Sequence, residues 1–404
     1  MALIVQKYGG TSVGSVERIR AVAQQILVAR QQGHELVIVL SAMGDSTDGL
    51  MKLALEIDPH PDSRELDMLV STGEQISISL LTMALRQKGC KAVSLTGWQA
   101  GIVTDEEHQD AQVREIHTAS IHQWLARGYV VVVAGYQGVT DSGQITTLGR
   151  GGSDTSAVAL AAHLHADLCE IHTDVDGVYT ADPRLVPEAK KHTQIPYEQM
   201  LELAEMGACV LHPRSVREAR KFQVPLVVRS SFQRGEGTRV GGEMDCGISS
   251  AFWGIAHQEK MAVISIKGER REEACSHLAK HFDTVGVEAE AVVSVSDCMQ
   301  YSLSANEIEN AMAILQNDGK RLGIEGWECE QDMTKVTIVP ADPFTEKDMT
   351  GKLAELPFPV RWLKPVKHRI SCVMPSAMSK AVMQTIHRSL AMNLNVGRSK
   401  DFLL

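Results

Sequence analysis

A lysine followed closely by two glycines stands near the start of the chain. Lys7 is separated from Gly9 and Gly10 by one tyrosine, and a helical pattern begins after Ser15, a candidate N-cap. Glycine backbone N–H groups and the positive end of a helix attract anions, and the lysine adds a full charge. The cluster is suited to an anion site, although a tight turn with a surface lysine is the favoured explanation when the cluster is taken alone. Because the lysine precedes the glycines, this is not a Walker-type loop.

A second cluster, Ser71-Thr72-Gly73-Glu74, precedes an amphipathic helical pattern. A buried carboxylate at this point would bind an ammonium group. The alternative is a helix N-cap in which the first-turn glutamate interacts favourably with the helix dipole. Taken alone, the cluster favours the cap.

A third cluster gathers Arg150, Gly151, Gly152, Ser153 and Asp154 at the start of another helical pattern. A guanidinium fork suits a carboxylate, and glycine N–H groups suit a phosphate. A capped surface loop is the alternative, which the likeness to the Lys7 cluster disfavours.

A fourth cluster follows a strand-like run and contains Thr173, Asp174, Tyr179 and Arg184. Carboxylates, an aromatic ring and an arginine at a strand end are suited to holding a nucleotide. A turn-rich surface loop explains this cluster equally well when it is taken alone.

The elements that would position these clusters alternate between apolar runs and helical patterns. This alternation predicts an α/β fold with a mainly parallel sheet and helices on both faces. Ligands of such sheets bind at the carboxyl ends of the strands, where the clusters fall. The predicted strands are residues 2–5, 36–40, 92–95, 129–133, 168–171 and 226–228, and helices include 76–85 and 155–164.

Beyond residue 228 the pattern changes to a smaller α+β region. Strands at 262–266, 289–295 and 299–304 with helices at 272–282 and 307–316 suggest one β-α-β-β-α unit. Strands at 336–339, 360–363 and 369–373 with helices at 347–356 and 377–390 roughly repeat this order. We therefore predict a catalytic domain at 1–234, a linker at 235–254 and a two-unit region at 255–404.

Composition excludes several classes of protein. A length of 404 residues predicts two or three domains, and the net charge of −10 argues against nucleic acid or an anionic membrane as partner. The eight cysteines form no Cys-x-x-Cys pair, so neither a zinc site nor a disulfide framework is indicated. His163 and His165 have no ligand at metal spacing, so no metal site is predicted. Without a leader or a bilayer-length apolar run, the protein is expected to be cytoplasmic.

Together the four clusters resemble the aspartate kinases, in the order of that family and over roughly the first 240 residues. The resemblance implies the amino-acid-kinase three-layer sandwich followed by two ACT-like units. It implies transfer of the ATP γ-phosphoryl group to the β-carboxylate of L-aspartate, the first step toward lysine, threonine and methionine. It also implies Mg²⁺ carried by the nucleotide and a homodimer or higher homo-oligomer formed through the C-terminal domain.

The resemblance also implies roles for individual residues. Lys7 and Asp154 would be catalytic and flank the phosphates. Aspartate would be held by Thr47, Glu74, Arg150, Gly151, Gly152 and Ser153. The nucleotide would be held by Lys7, Tyr8, Gly9, Gly10, Ser41, Thr173, Asp174, Tyr179, Thr180, Ala181, Asp182, Pro183, Arg184, Cys209 and Val210.

The sequence departs from the family at two places. Cys209 stands where members usually have lysine, so one nucleotide contact is in doubt. The turns at 267–273 and 340–344 lack a glycine at the position expected for ACT effector sites, so the effector-binding signature of the family is not retained. The alternatives are an inactive regulatory subunit of such a kinase, or a related kinase with another acidic substrate. The intact Lys7, Glu74, Arg150 and Asp154 disfavour the first, and the Ser71-to-Glu74 run disfavours the second.

Overall fold

The computed structural model describes residues 1–208, 210–242, 252–268, 271–284, 287–293, 299–319, 321, 324–341, 353, 356–363 and 369–392. The chain forms two compact units. The first comprises Met1–Val178, Lys191–Glu205 and Cys209–Cys246, and the second comprises Tyr179–Lys190, Met206–Ala208 and Gly247–Leu404. The second unit therefore includes the short segment Tyr179–Lys190, which contains the later residues of the fourth cluster.

The first unit alternates strands and helices, as the apolar runs predict. Its strands are β1 (Leu3–Tyr8), β2 (Glu35–Leu40), β3 (Ala92–Leu95), β4 (Ile102–Thr104), β5 (Val113–Ile116), β6 (Val130–Ala134), β7 (Gln137–Val139), β8 (Ile145–Thr147), β9 (Leu168–Thr173), β10 (Gln194–Pro196), β11 (Leu226–Ser230) and β12 (Thr238–Gly241). Its helices are α1 (Val16–Gln31), α2 (Ser46–Ile57), α3 (Ser63–Val70), α4 (Thr72–Gln87), α5 (Ala119–Ala126), α6 (Gly152–His163), α7 (Tyr197–Glu205) and α8 (Pro213–Phe222), with a 3₁₀ turn at Gly10–Val13.

An eight-stranded sheet organises the first unit, in the order β10-β12-β11-β9-β1-β2-β6-β3. All its pairs are parallel except β11 with β12, which confirms the mainly parallel sheet. The chain runs from β1 to β2 on one side, and β9 lies on the other side of β1. Such a reversal of strand order opens a crevice at the carboxyl ends of the strands. Lys7 and the glycine turn lie at that edge.

Helices cover both faces of this sheet. Alternate residues of β1 and β2, such as Ile4 and Ile38, pack in one core with Ile26 of α1 and Leu81 of α4. Helix α6 packs against β1, β2 and β9 and is buried on all sides from Gly152 to Ala161, as expected for a helix inside a layered α/β unit. A smaller sheet, β5-β4-β7-β8, completes the unit.

The helical stretch Ser63–Gln87 reaches the length and apolar content of a membrane span, in contrast to the expectation that no run would. It contains the two helices α3 and α4, and half of its apolar window is buried inside the protein. Leu66, Ile78, Leu81 and Leu85 are buried in the core, whereas Met68, Ile76 and Met83 are exposed.

The second unit is built on a six-stranded antiparallel sheet, in the order β14-β15-β13-β16-β18-β17. Its elements are β13 (Phe252–Gly268), α9 (Arg271–Thr284), β14 (Ala289–Ala291), β15 (Met299–Ser304), α10 (Ile308–Asp318), β16 (Ile324–Pro340), β17 (Arg361–Trp362), β18 (Ile370–Pro375) and α11 (Ser379–Met392). The order β-α-β-β-α agrees with the expectation for its first half.

Among the described residues, two larger hydrophobic cores and one smaller cluster stabilise this second unit. One larger core places Leu278 of α9 and Leu315 of α10 against Ile264 and Leu303. The other larger core packs α11 on β16 and β18. Most of the predicted helix at 347–356 and parts of both candidate effector turns, residues 269–270 and 342–344, lie outside the described residues.

Candidate active site

A cavity of about 580 Å³ lies in the first unit, at the carboxyl edge of the main sheet. It brings together residues that are far apart in the chain and that three of the four clusters contain. Its predicted members are Lys7, Gly10, Ser41, Thr47, Glu74, Arg150, Gly151, Gly152, Ser153 and Asp154.

Lys7 and Asp154 form an ion pair inside this cavity. Lys7 Nζ lies 2.6 Å from Asp154 Oδ1, and each side chain is 12% exposed. Lys7 comes from the end of β1, and Asp154 from the first turn of α6. A pair with so little solvent around it is fixed in place, so the ammonium group is presented to the cavity in one position.

The first glycine turn brings backbone close to backbone. A Cβ on Gly10 would lie 2.9 Å from the Ala42 carbonyl oxygen, and the Gly44 N–H donates to the Gly10 carbonyl at 3.0 Å. Glycine is required there because any side chain would push the two turns apart. Ser15 caps α1 as predicted, because its side chain accepts a hydrogen bond from the Arg18 N–H.

Glu74 is buried, with 2% of its surface exposed, on the first turn of α4. Its Oε1 accepts the Ala42 N–H at 3.0 Å, while Oε2 has no hydrogen-bond partner among the described residues. Burial raises the pKa of this carboxyl to about 7, and backbone N–H donors oppose that rise. A buried oxygen that faces a polar cavity without a partner is suited to a ligand's ammonium group. Glu74 also lies in the first turn of α4, where the helix dipole favours a carboxylate, although the Ser71 side chain does not cap the helix.

Arg150 lies on a turn whose shape depends on glycine. Gly149 and Gly151 have φ angles of +69° and +72°, which side chains rarely adopt. A Cβ on Gly151 would lie 2.2 Å from the His212 ring. Arg150 itself is exposed at the cavity, and within the described part of the chain no hydrogen bond or ion pair holds its guanidinium group.

The other predicted nucleotide residues of the first unit lie outside the cavity lining. Thr173 and the exposed Asp174 follow β9, which neighbours β1, and the Thr173 hydroxyl donates to Asp174 at 3.1 Å. Tyr8 is fully buried and stacks on His172, with 4.4 Å between ring centroids. The Tyr8 ring is therefore packed in the core, and the residue lies beside the glycine turn through its backbone.

The remaining members of the fourth cluster belong to the second unit. The Thr180 hydroxyl lies 2.9 Å from His387 Nε2, Ala181 is part of the α11 core, and Arg184 pairs with Asp182 at 2.8 Å. Tyr179 and Pro183 lie in the same segment. Val210 is half-buried in the first unit, and Cys209 lies outside the described residues.

Several cavity residues carry no local sequence signal. Asp48, Gln109 and Tyr136 line the cavity, and the last two have left-handed backbone angles, φ +68° and +69°. Positive φ at a residue other than glycine is uncommon and marks a constrained site. Only the folded chain brings these residues to the edge of the main sheet.

No group of three or more His, Cys, Asp or Glu side chains suited to a metal ion occurs among the residues described. Mg²⁺ in kinases is commonly bound by one or two carboxylates together with the phosphates of the nucleotide. The buried carboxylates that line the cavity are Asp154 and Glu74.

Comparison with known proteins agrees with this architecture. A family model described as the amino acid kinase family matches residues 2–230. An aspartokinase of Bacillus sp. (strain MGA3) is 40% identical over 412 residues, covering 99% of this chain and 100% of its own. Aspartokinase 2 of Bacillus subtilis (strain 168) is 41% identical over 396 residues, covering 96% and 97%.

Two solved structures are also similar. Aspartokinase III of E. coli, in complex with aspartate and ADP, superposes with a TM-score of 0.75 over 96% of this chain and 100% of its own. At 23% identity this likeness shows the fold alone. An aspartate kinase from Synechocystis is 38% identical, with a TM-score of 0.56, and covers all of this chain and 71% of its own.

The parallel sheet, the glycine turn and the matched residues define the class: this is a member of the amino acid kinase family. Within that family the chain belongs to the aspartokinases, because about 40% identity extends over nearly the full length of both chains. The resemblance of the four clusters is thereby confirmed.

Proposed function

We propose that the protein transfers the γ-phosphoryl group of ATP to the β-carboxylate of L-aspartate, giving 4-phospho-L-aspartate. The observation that carries this proposal is the buried, half-satisfied carboxylate of Glu74 in the same cavity as the guanidinium of Arg150 and the Lys7–Asp154 pair. Glu74 complements the ammonium of an amino acid, and Arg150 complements its α-carboxylate.

The chemistry requires little proton transfer from the protein. The attacking β-carboxylate is already ionised at neutral pH, so no general base is needed. The obstacle is the approach of two anions, and positioned positive groups and N–H donors lower it. Lys7 supplies the fixed charge, and Gly10, which lines the cavity, begins a 3₁₀ helical segment. The Gly9 N–H is already donated to the His172 carbonyl at 3.3 Å.

Mg²⁺ would enter with ATP and neutralise charge on its phosphates when bound. On the protein side, Lys7, Gly9, Gly10, Ser41 and Asp154 would surround the phosphates. Thr47 and Ser153 would hold aspartate together with Glu74 and the turn at Arg150. The nucleotide would contact Thr173, Asp174, the segment from Tyr179 to Arg184, and the chain at Cys209 and Val210.

Finer properties are part of the same proposal. The catalytic part would be residues 1–234, and residues 255–404 would form two ACT-like units that join two or more copies of the chain. The two larger cores of the second unit, one with α9 and α10 and one with α11, support a pair of similar modules. The enzyme would work in the cytoplasm, in the biosynthesis of lysine, threonine and methionine. Size-exclusion chromatography with light scattering tests the oligomer.

The direct test is ADP release by purified protein with aspartate as acceptor. Glutamate, one methylene longer, and succinate, which lacks the ammonium group, are matched controls. We expect turnover with aspartate and at least about tenfold lower kcat/KM with succinate, because one lost charged contact is worth about 1.5–3 kcal/mol. Glutamate should also be at least about tenfold poorer, because its extra methylene displaces the reacting carboxylate. Absence of turnover with aspartate would support the alternative that the protein is a catalytically inactive regulatory subunit. The intact cavity and the relatives that match over their full length do not favour this alternative. Preferred turnover of glutamate would indicate a sister kinase.

A further inference from the structure

The turn formed by residues 147–152, here called the arginine turn, is held by two charged side chains that belong to neither its own segment nor the proposed contacts. Within the turn, the Gly152 N–H donates to the Gly149 carbonyl at 3.0 Å, and the Leu148 N–H donates outside the turn, to the Tyr136 carbonyl at 2.8 Å. A turn with glycines at three of its six positions loses much conformational freedom on folding. Its position therefore depends on contacts from outside.

Asp67 of α3 holds the arginine turn from one side. This carboxylate is completely buried and accepts the Thr147 hydroxyl at 2.5 Å. Its other oxygen lies 2.7 Å from His108 Nδ1 and accepts the Gln109 N–H at 3.2 Å. One buried charge thus ties the start of the turn to the segment 108–109, whose Gln109 lines the cavity.

Arg214 of α8 holds the turn from the other side. Its Nη1 donates to the Leu148 carbonyl at 2.5 Å and to Asp110 Oδ1 at 2.9 Å, and its Nη2 donates to the Ala111 carbonyl. The side chain is only 15% exposed. The planar guanidinium fork reaches three acceptors on two segments, an arrangement that a lysine cannot reproduce.

These contacts converge on the two residues that precede Gly149 and Arg150. Asp67 binds Thr147, Arg214 binds Leu148, and the Ala111 N–H donates to the Thr147 carbonyl at 3.0 Å. Arg150 has no partner of its own among the described residues, so the turn alone determines where its guanidinium group starts.

We propose that Arg214 and Asp67 are positioning residues that set the place of Arg150 and thereby the affinity for the α-carboxylate of the amino-acid substrate. This inference rests on the proposed role of Arg150. Neither residue touches the substrate. Both act by fixing the arginine turn against the segment 108–111.

The test is a double-mutant cycle between Arg150→Met and Arg214→Met, with initial rates measured against aspartate and against ATP. A displacement of about 1 Å can cost on the order of a hundredfold in rate. We therefore expect Arg214→Met to raise the aspartate KM at least about tenfold while the ATP KM changes less than about twofold. In the Arg150→Met background the same change should have almost no further effect on aspartate, because it acts through Arg150.

Arg217→Met is the matched control. Arg217 lies one turn further along α8, pairs with Glu205 at 2.8 Å and is 55% exposed, so its loss should leave both KM values unchanged. Arg214→Lys keeps the charge but not the fork, and replaces the methionine variant if that one does not fold. Asp67→Asn should shift the aspartate KM in the same direction.

The outcomes separate the two levels of the argument. If Arg150→Met leaves the aspartate KM unchanged, the proposed role of Arg150 is wrong. If Arg150→Met raises it and Arg214→Met does not, only the positioning role fails. Equal rises in both KM values, or effects of the two changes that simply multiply, would show that Arg214 supports the fold in general and does not act through Arg150.

Discussion

Two glycine turns precede helical segments at the same edge of the main sheet, and each carries a cation, but they treat that cation differently. Lys7 is held 2.6 Å from Asp154 and is almost completely buried. Arg150 is exposed and has no partner within the described residues, although its turn is fixed by Asp67 and Arg214. In one turn the side chain is positioned, and in the other only the backbone is.

This difference matches the two tasks that the reaction sets. The transferred phosphoryl group must be stabilised at one place, so a charge fixed before the reaction lowers the barrier most. A substrate carboxylate must enter and leave, so a guanidinium without an internal partner keeps its hydrogen-bond donors available. Changes at Lys7 should therefore affect turnover, and changes on the Arg150 side should affect affinity for aspartate.

The largest effect is expected for Lys7→Met. The variant should fold and lose on the order of a hundredfold or more in kcat, the scale of one lost preorganised contact, with a smaller change in the aspartate KM. Steady-state kinetics and circular dichroism check this. Lys52→Met, at a side chain that is 79% exposed, is the control. Activity of Lys7→Met within a few-fold of the wild type would remove the contrast between the turns.

A pair of glycine substitutions sharpens the comparison. Gly151→Ala forces a side chain into a left-handed backbone and to within 2.2 Å of the His212 ring, whereas Gly9 has φ −70° and its nearest neighbour would be Lys7 Nζ at 3.5 Å. Strain of about 1–3 kcal/mol predicts at least about a tenfold loss of kcat/KM for aspartate in Gly151→Ala. By the same reasoning, Gly9→Ala should cost less than about threefold, because its backbone angle is one that side chains adopt freely. The reverse ranking in kinetic assays would contradict the geometry of both turns.

Local sequence patterns predict most of the elements that carry these turns. The apolar runs give β1, β2, β3 and β9 to within a few residues, because strands buried on both faces are continuously apolar. Ser15 is the N-cap that its position indicates. The resemblance to aspartate kinases, and not residue spacing, assigns Lys7 and Asp154 to one site, and the structure places them 2.6 Å apart.

What the sequence does not show depends on distant contacts. Arg214 lies 66 positions from Leu148 in the chain, and Asp67 lies 80 positions from Thr147, so no local pattern links them to the arginine turn. The same holds for Glu74, whose burial, and hence whose raised pKa, becomes visible only when α4 packs beside Ala42. Likewise, only the folded chain shows that the segment Tyr179–Lys190 belongs to the second unit.

A third prediction concerns the pH dependence of aspartate binding. In the free enzyme the pKa of Glu74 is raised to about 7, so the carboxyl is neutral below that pH and cannot pair with an ammonium group. We expect the aspartate KM to rise toward about tenfold per pH unit below pH 7. Glu74→Gln should have a high aspartate KM, at least about tenfold above the wild type at about pH 8, without this dependence.

The ATP KM of Glu74→Gln provides the control and should stay nearly unchanged. A fall in ATP affinity in this variant would mean that Glu74 does not lie on the amino-acid side of the cavity. A wild-type aspartate KM that is flat from about pH 8 to about pH 5.5 would contradict the pairing of Glu74 with the ammonium.

The fourth prediction uses the same residue to measure what the open site costs in stability. Because the pKa of Glu74 is raised from 4.5 to about 7 in the folded state, the free energy of unfolding of the protein falls as the pH rises from 4.5 through 7. Glu74→Gln should therefore unfold at the same denaturant concentration as the wild type near pH 4.5. It should gain up to about 3 kcal/mol by about pH 8. Glu56→Gln, at an exposed carboxylate, should show no such gain, and an equal pH profile for both variants would contradict the burial of Glu74.

The smallest effect is expected at the candidate effector turns of the second unit, residues 267–273 and 340–344. Amino-acid effectors need backbone N–H groups for a carboxylate, usually at a glycine turn before a helix, and both candidate turns lack a glycine at the expected position. Glu269, Glu272 and Glu273 would moreover repel a carboxylate. We therefore expect lysine and threonine, alone or together, to change the aspartate affinity less than about fivefold, a coupling free energy below about 1 kcal/mol. Titration of each amino acid at sub-saturating aspartate measures this coupling, and half-inhibition at sub-millimolar effector would show that the second unit holds an effector site of another design.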